Sequence, residues 1–297
     1  MKTSALISAA TLAALLLAPV SAANAETFDK PATKEFDLTK VLPCPPQSNI
    51  EKGDIEKSKG PVCKDNPEAQ KADYQGVLDA QKSASDDEIA VAMADATYPT
   101  VAQFLRPIWL RLVNPAPEAC APAKAILKDI DHDVAIATQG RLKEDESAVR
   151  TSLPATTTLL GEVNYAEYKA SDKAKAIYNR QRPYMLKIDG LPAIEPLADK
   201  QYVARMSKSA SYPSGHAVFA FTDAAVLSAL LPDNAQIIMN RAEHYGWHRV
   251  VIGVHFPTDI AAGKQAGLLV ANAYLNDPVM KDRLEAARAE LRTALCY

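Results

Sequence analysis

Apolar residues recur at three- and four-residue intervals along most of this 297-residue chain, and almost nowhere at intervals of two. From Asp73 to Thr97, Val77, Ile89, Ala92, Met93 and Ala96 stand among charges in a helical pattern. Phe104, Leu105, Ile108, Trp109 and Leu112 predict a helix over 101–113. Pro122 opens another, with Ile126, Leu127, Ile130, Val134 and Ile136. Thr157–Ile177 is again helical, and 184–212 reads as a loop with one short helix. His216–Leu231 is apolar on all sides, the pattern of a buried helix. Pro232 separates it from a helix over Asp233–Tyr245. Pro257–Leu275 is a second apolar helix. Pro278–Leu295 is amphipathic, with Leu284, Ala287, Leu291 and Leu295 on one side. The fold class expected is all-α, a single helical domain over 67–297 without internal repeats.

The region before that domain follows other rules. Residues 26–66 are polar and Pro-rich, with LPCPP at 42–46, and are expected to form an irregular arm. After Lys2 no charge occurs until Glu26, and the apolar run ends on Ala23-Asn24-Ala25. A small-x-small ending behind such a run predicts a signal peptide over 1–25. A retained anchor is the alternative, since the run could just span a bilayer. Pro19 and the SAANA ending favour cleavage, hence a periplasmic or secreted protein without stable membrane insertion. An oxidising compartment would let the cysteines pair. Four cysteines allow three pairings. Cys44–Cys63 with Cys120–Cys296 is favoured, because the first closes a short loop and the second ties down the terminus.

Composition removes several function classes. At 48% apolar and 23% charged residues, the chain is not a disordered one. Lys plus Arg number 33 against 36 Asp plus Glu, and no long basic block exists, so no nucleic-acid polymer is expected as partner. No His-Glu-x-x-His or paired-Cys motif is present, and no metal or cofactor is expected.

Three segments carry candidate chemistry. In Lys175-Ala-Ile-Tyr-Asn-Arg180-Gln-Arg182-Pro183, Lys175 and Arg182 are seven apart. On a helix ended by Pro183 they would share a face. With Lys173 and Arg180 nearby, the segment reads equally as a solvated basic face. In Pro213-Ser214-Gly215-His216, Ser214 is a candidate N-cap of the apolar helix. Gly215 would let an anion approach the free N–H groups, with His216 at the mouth; an ordinary capped helix with an exposed histidine is the alternative. In His248-Arg249-Val-Val-Ile-Gly-Val-His255-Phe-Pro257-Thr-Asp259, the Asp259 carboxylate can orient the His255 ring across one turn. Arg249 on an apolar run needs either an acidic partner or an anionic ligand.

Taken together, these segments resemble the type 2 phosphatidic acid phosphatase superfamily, which includes the vanadium-dependent haloperoxidases. Its pattern, K-x6-R-P, then P-S-G-H, then S-R-x5-H-x3-D, is matched at Lys175, Arg182 and Pro183, at residues 213–216, and at Arg249, His255 and Asp259. His248 departs from it, standing where Ser is usual. The Pro-rich arm, Gly161-Glu162-Val163, SYPSGHA and NRAEHYG are similar to the bacterial class A non-specific acid phosphatases, over about residues 40 to 275.

The resemblance implies a helical bundle of the phosphatase/haloperoxidase type and metal-independent hydrolysis of phosphate monoesters. It implies His255 as nucleophile forming a phosphohistidine, Asp259 as its orienting group and His216 as acid and base. Lys175, Arg182, Arg249, Ser214 and Gly215 would bind the phosphate, and His248 would tune the site through a hydrogen bond near Arg249 or Asp259. Small phosphomonoesters and inorganic phosphate are then the partners, with vanadate an inhibitor and a homo-oligomer left open. A vanadate-dependent haloperoxidase, a lipid phosphate phosphatase and a non-enzymatic phosphate-binding protein are the rival readings. His132 and His244 are given bland roles, and Tyr178, Tyr184 and Tyr212 either packing or a place at the substrate mouth.

Overall fold

The computed structural model describes residues 34–46, 63–97 and 152–295. Among them the regular structure is entirely helical. The eight α-helices are α1 (Pro67–Ser83), α2 (Asp86–Thr97), α3 (Pro154–Tyr178), α4 (Lys200–Met206), α5 (Gly215–Leu230), α6 (Ala235–Val251), α7 (Pro257–Leu275) and α8 (Lys281–Leu295). The helices expected over 101–113 and 122–136, the signal peptide, and the Cys120–Cys296 pairing lie outside the described residues. No helix among the described residues is long and apolar enough to cross a membrane.

Helix α5 is the centre of the bundle. Its apolar residues leave no polar face, so it packs against α7, α6 and α3 at once. The contact with α7 is the closest. A Cβ added at Gly267 would fall 2.5 Å from the Val218 carbonyl oxygen, and one at Gly263 would fall 2.6 Å from the Ala217 Cβ. These two glycines let the α7 backbone lie directly on the first turns of α5. That approach brings the start of α7 to the Pro-Ser-Gly turn, where the Ser214 N–H donates to the Asp259 carbonyl at 3.0 Å.

The observed boundaries refine the predicted ones. The single pattern over 73–97 is two helices, because Ser85 caps the second by accepting the Glu88 N–H at 3.1 Å. The helix expected over 233–245 continues to Val251, so His248 and Arg249 stand on its last turns rather than on a separate apolar run. Gly253, at φ +76, then reverses the chain toward His255. In the arm, Leu38 and Leu42 are buried with Tyr178, Tyr212 and Val218. The Tyr212 hydroxyl donates to the Pro43 carbonyl at 2.6 Å, and Tyr178 donates to Leu42 at 3.2 Å. Both tyrosines therefore pack the arm rather than line a substrate mouth. Cys44 and Cys63 form a disulfide.

Candidate active site

Pro257 starts α7 and puts Asp259 at its third position, where one carboxylate oxygen accepts the Phe256 N–H at 2.9 Å. The same oxygen, Oδ2, accepts from His255 Nδ1 at 3.1 Å and from the Ser211 hydroxyl. The other, Oδ1, accepts from Arg180 at 2.7 Å. Burial alone would push this carboxyl up; Arg180, His255 and Ser211 override it and hold it well below the ordinary carboxylate range. Arg180 is itself buried and reaches Asp73 at 2.6 Å with its other amino group. It also lies 3.9 Å over the Phe256 ring. The solvated basic face is thus wrong for Arg180, which ties α1 to α7.

Lys175 and Arg182 come together, but not on one helix face. Helix α3 ends at Tyr178, and Asn179 takes a left-handed conformation with φ 43, so the chain turns before Arg182 is reached. Arg182 is extended at ψ 156, as a residue before proline should be. Its Nε donates to the carbonyls of Met206 at 2.7 Å and Ser209 at 2.9 Å, and Nη1 donates to Val254 at 2.9 Å. Nη1 also lies 3.2 Å from His255 Nε2. Lys175 Nζ donates to the Ala210 carbonyl at 2.7 Å. Burial, reinforced by Arg182, lowers this ammonium to about 7.

A guanidinium can only donate, so the contact with Arg182 requires a lone pair on His255 Nε2. The proton is on Nδ1, facing Asp259. Burial first, then Arg182, lowers the His255 pKa to about 3, so the ring is neutral over most of the acidic range.

Ser214 caps α5, accepting the Ala217 N–H at 3.4 Å. A Cβ on Gly215 would point to Ser171 Oγ at 3.5 Å and Lys175 Cε at 3.7 Å, so this residue faces the lysine. The His216 ring stacks on Tyr245 at 6.0 Å between centroids, and its Nε2 is buried without a partner. Burial, then the charge of Arg249, puts its pKa well below the ordinary value. Arg249 is fully buried. Nη2 donates to the Ala92 carbonyl at 2.9 Å, while Nε and Nη1 have no partner. Of the two roles open to Arg249, no acidic partner among the described residues fills the first.

Of the two places expected for the His248 hydrogen bond, near Arg249 or near Asp259, the structure has it on the Arg249 side. Its Nδ1 lies 2.6 Å from Asp95 of α2, whose carboxylate also takes two N–H groups of Arg241 at 2.6 and 2.9 Å. It therefore locks α6 to α2 beside Arg249, rather than touching Asp259. Neither Asp95 nor Arg180 carries a local signal in the sequence, since the partners lie 153 and 79 positions away. Ser211 could have been flagged, being next to the Pro-Ser-Gly turn.

Residues 155–283 match the PAP2 superfamily. A 146-residue stretch is 30% identical to an acid phosphatase of Zymomonas mobilis, covering 48% of this chain and 52% of that protein. A 124-residue stretch is 32% identical to a non-specific acid phosphatase of Salmonella typhimurium, covering 42% and 47%. The Providencia stuartii non-specific acid phosphatase is 31% identical over 86 residues, covering 29% and 35%. The chain thus spans about half the length, or less, of these curated relatives. Over part of its length it carries PAP2-superfamily acid-phosphatase homology at moderate identity.

Proposed function

We propose that this chain is an exported, metal-independent acid phosphatase that hydrolyses phosphate monoesters through a phosphohistidine on His255. The signal peptide over 1–25, the arm over 26–66 and the catalytic domain over 67–297 are part of that proposal. One observation carries it above the others. Among the described residues, buried Arg249 keeps two nitrogens without partners and its charge acts on His216, while the Nε2 lone pair of His255 is held toward Arg182. Unsatisfied buried donors are costly, and an oxyanion would satisfy them.

In the first step, a phosphate monoester dianion takes the N–H groups of Arg249, the Arg182 N–H now turned to His255, and the Lys175 ammonium. Amides at the start of α5 and the Ser214 hydroxyl add donors. Nε2 of His255 attacks phosphorus, the bond to the ester oxygen breaks, and His216 gives its proton to the leaving alkoxide. The cations that lower the His216 pKa are then offset by the substrate's charge, which favours its protonation. In the second step, His216 takes a proton from water, the oxygen attacks phosphorus, and the N–P bond breaks to release phosphate. Asp259 holds Nδ1–H throughout and stabilises the cationic ring. Vanadate, which adopts the five-coordinate shape of the in-line transition state, should inhibit.

The test is hydrolysis of p-nitrophenyl phosphate by the purified full chain at acidic pH in the presence of EDTA. Activity lost to the chelator and restored by a divalent ion would overturn the metal-independent reading. A protein inert toward phosphomonoesters would overturn the whole of it.

A further inference from the structure

Tyr202 belongs to none of the three motif segments, yet it stands in the same site. Helix α4 begins at the Asp199 cap, whose carboxylate accepts the Gln201 and Tyr202 N–H groups at 2.9 Å each. Its far end is held by Arg182, which takes the Met206 and Ser209 carbonyls, and by Tyr184, whose hydroxyl donates to Val203 at 3.3 Å. The short helix is thus anchored by the same arginine that faces His255. From it the Tyr202 ring meets the His216 ring edge-on, with centroids 6.5 Å apart, while Tyr245 stacks on the same ring. The residue is only 4% exposed, and its hydroxyl is buried with no hydrogen-bond partner.

A phenol in such a position is informative because phenylalanine would fill the same space without burying an unsatisfied hydroxyl. Among the described residues His216 Nε2 and two Arg249 nitrogens are buried in the same state, and the arginine N–H groups, like the phenol O–H, lack an acceptor. We infer that the Tyr202 hydroxyl is a substrate contact, donating a hydrogen bond to the ester oxygen of a phosphate monoester on the leaving-group side, beside His216. This rests on the phosphatase reading above. As the P–O bond breaks, negative charge accumulates on that oxygen, and the hydrogen bond strengthens in the transition state. The phenol keeps its proton, so His216 remains the acid and no atom changes hands at Tyr202.

The test is Tyr202→Phe, which removes one oxygen and keeps the ring. Alkyl phosphates, whose leaving group needs stabilisation, should lose about tenfold or more in kcat/KM. Hydrolysis of p-nitrophenyl phosphate, whose leaving group is good, should change less than about threefold. The melting temperature should hold or rise, because an unsatisfied hydroxyl has been removed. Equal losses on both substrates, no loss on either, or a fall in melting temperature would each overturn the assignment. A wild-type chain that cleaves neither substrate would instead sink the phosphatase reading, and this inference with it.

Discussion

Nη1 of Arg182 lies 3.2 Å from Nε2 of His255, and this contact decides which nitrogen of the ring is free to react. It also places a permanent positive charge against the imidazole, which together with burial holds the ring neutral down to about pH 3. On the proposed mechanism, this is the ionisation state that a nucleophile at His255 needs in acid.

Arg182→Gln should therefore do two things. It should lower kcat/KM by roughly a hundredfold or more through loss of a phosphate ligand. It should also move the acidic limb of the kcat/KM profile to higher pH, because the charge opposing His255 protonation is gone. The measurement is a pH–rate profile from pH 3 to 7. An unmoved limb would assign that ionisation to another group.

The two site histidines should separate in a labelling experiment. His255→Ala should abolish the covalent phosphoenzyme trapped by rapid quench, whereas His216→Ala should retain it with a good leaving group. Asp259→Asn should slow turnover by roughly a hundredfold to ten-thousandfold, since the amide no longer fixes Nδ1–H. Mapping of the label to His216 would reverse these roles.

Arg180 predicts a stability effect with little to do with substrate. Its guanidinium is buried and serves Asp73 and Asp259 together. Arg180→Met leaves both carboxylates without their cation and should cost about 3–5 kcal/mol in urea unfolding. Lys264→Ala removes a half-exposed partner of Glu243 and should cost less than about 1 kcal/mol. Similar losses in the two variants would contradict the buried network.

Glu167 of α3 and Asp223 of α5 are both buried carboxyls, and the charge of the second acts on the first. Burial, then the Asp223 charge, raises the Glu167 pKa well above its ordinary value. Burial likewise raises Asp223. Below about pH 3 both are protonated whether folded or not, and they leave stability unchanged. At higher pH the unfolded chain releases these protons and the folded chain keeps them, so their contribution destabilises increasingly until the folded-state values are passed. Glu167→Gln should flatten this decline and raise stability at pH 7.5 more than at pH 4.5, as read from denaturant unfolding at the two values. A larger gain at pH 4.5 would mean that Glu167 is ionised in the fold.

How legible this molecule is depends on the distance between the interacting residues. The Ser214 cap, the Pro257 start and the His255–Asp259 pair act within four positions, and each was readable from its spacing. The shared helical face of Lys175 and Arg182 was not, because the spacing that suggests two turns says nothing of the left-handed residue at Asn179 between them. The break before Asp86 is hidden from the pattern for a related reason. Apolar periodicity continues through it, and only the Ser85 cap marks the new start.

By itself, the chain determined the helices of the described residues and the three short segments proposed to hold the chemistry, because periodicity, caps and proline act through the local backbone. Tertiary structure alone decided that Arg180 is buried, that His248 turns to Asp95 rather than Asp259, and that Tyr202 meets His216. A charged or polar side chain reads as solvent-facing until a partner from a distant helix covers it. The energy that decides between burial and exposure belongs to that pair, not to either residue.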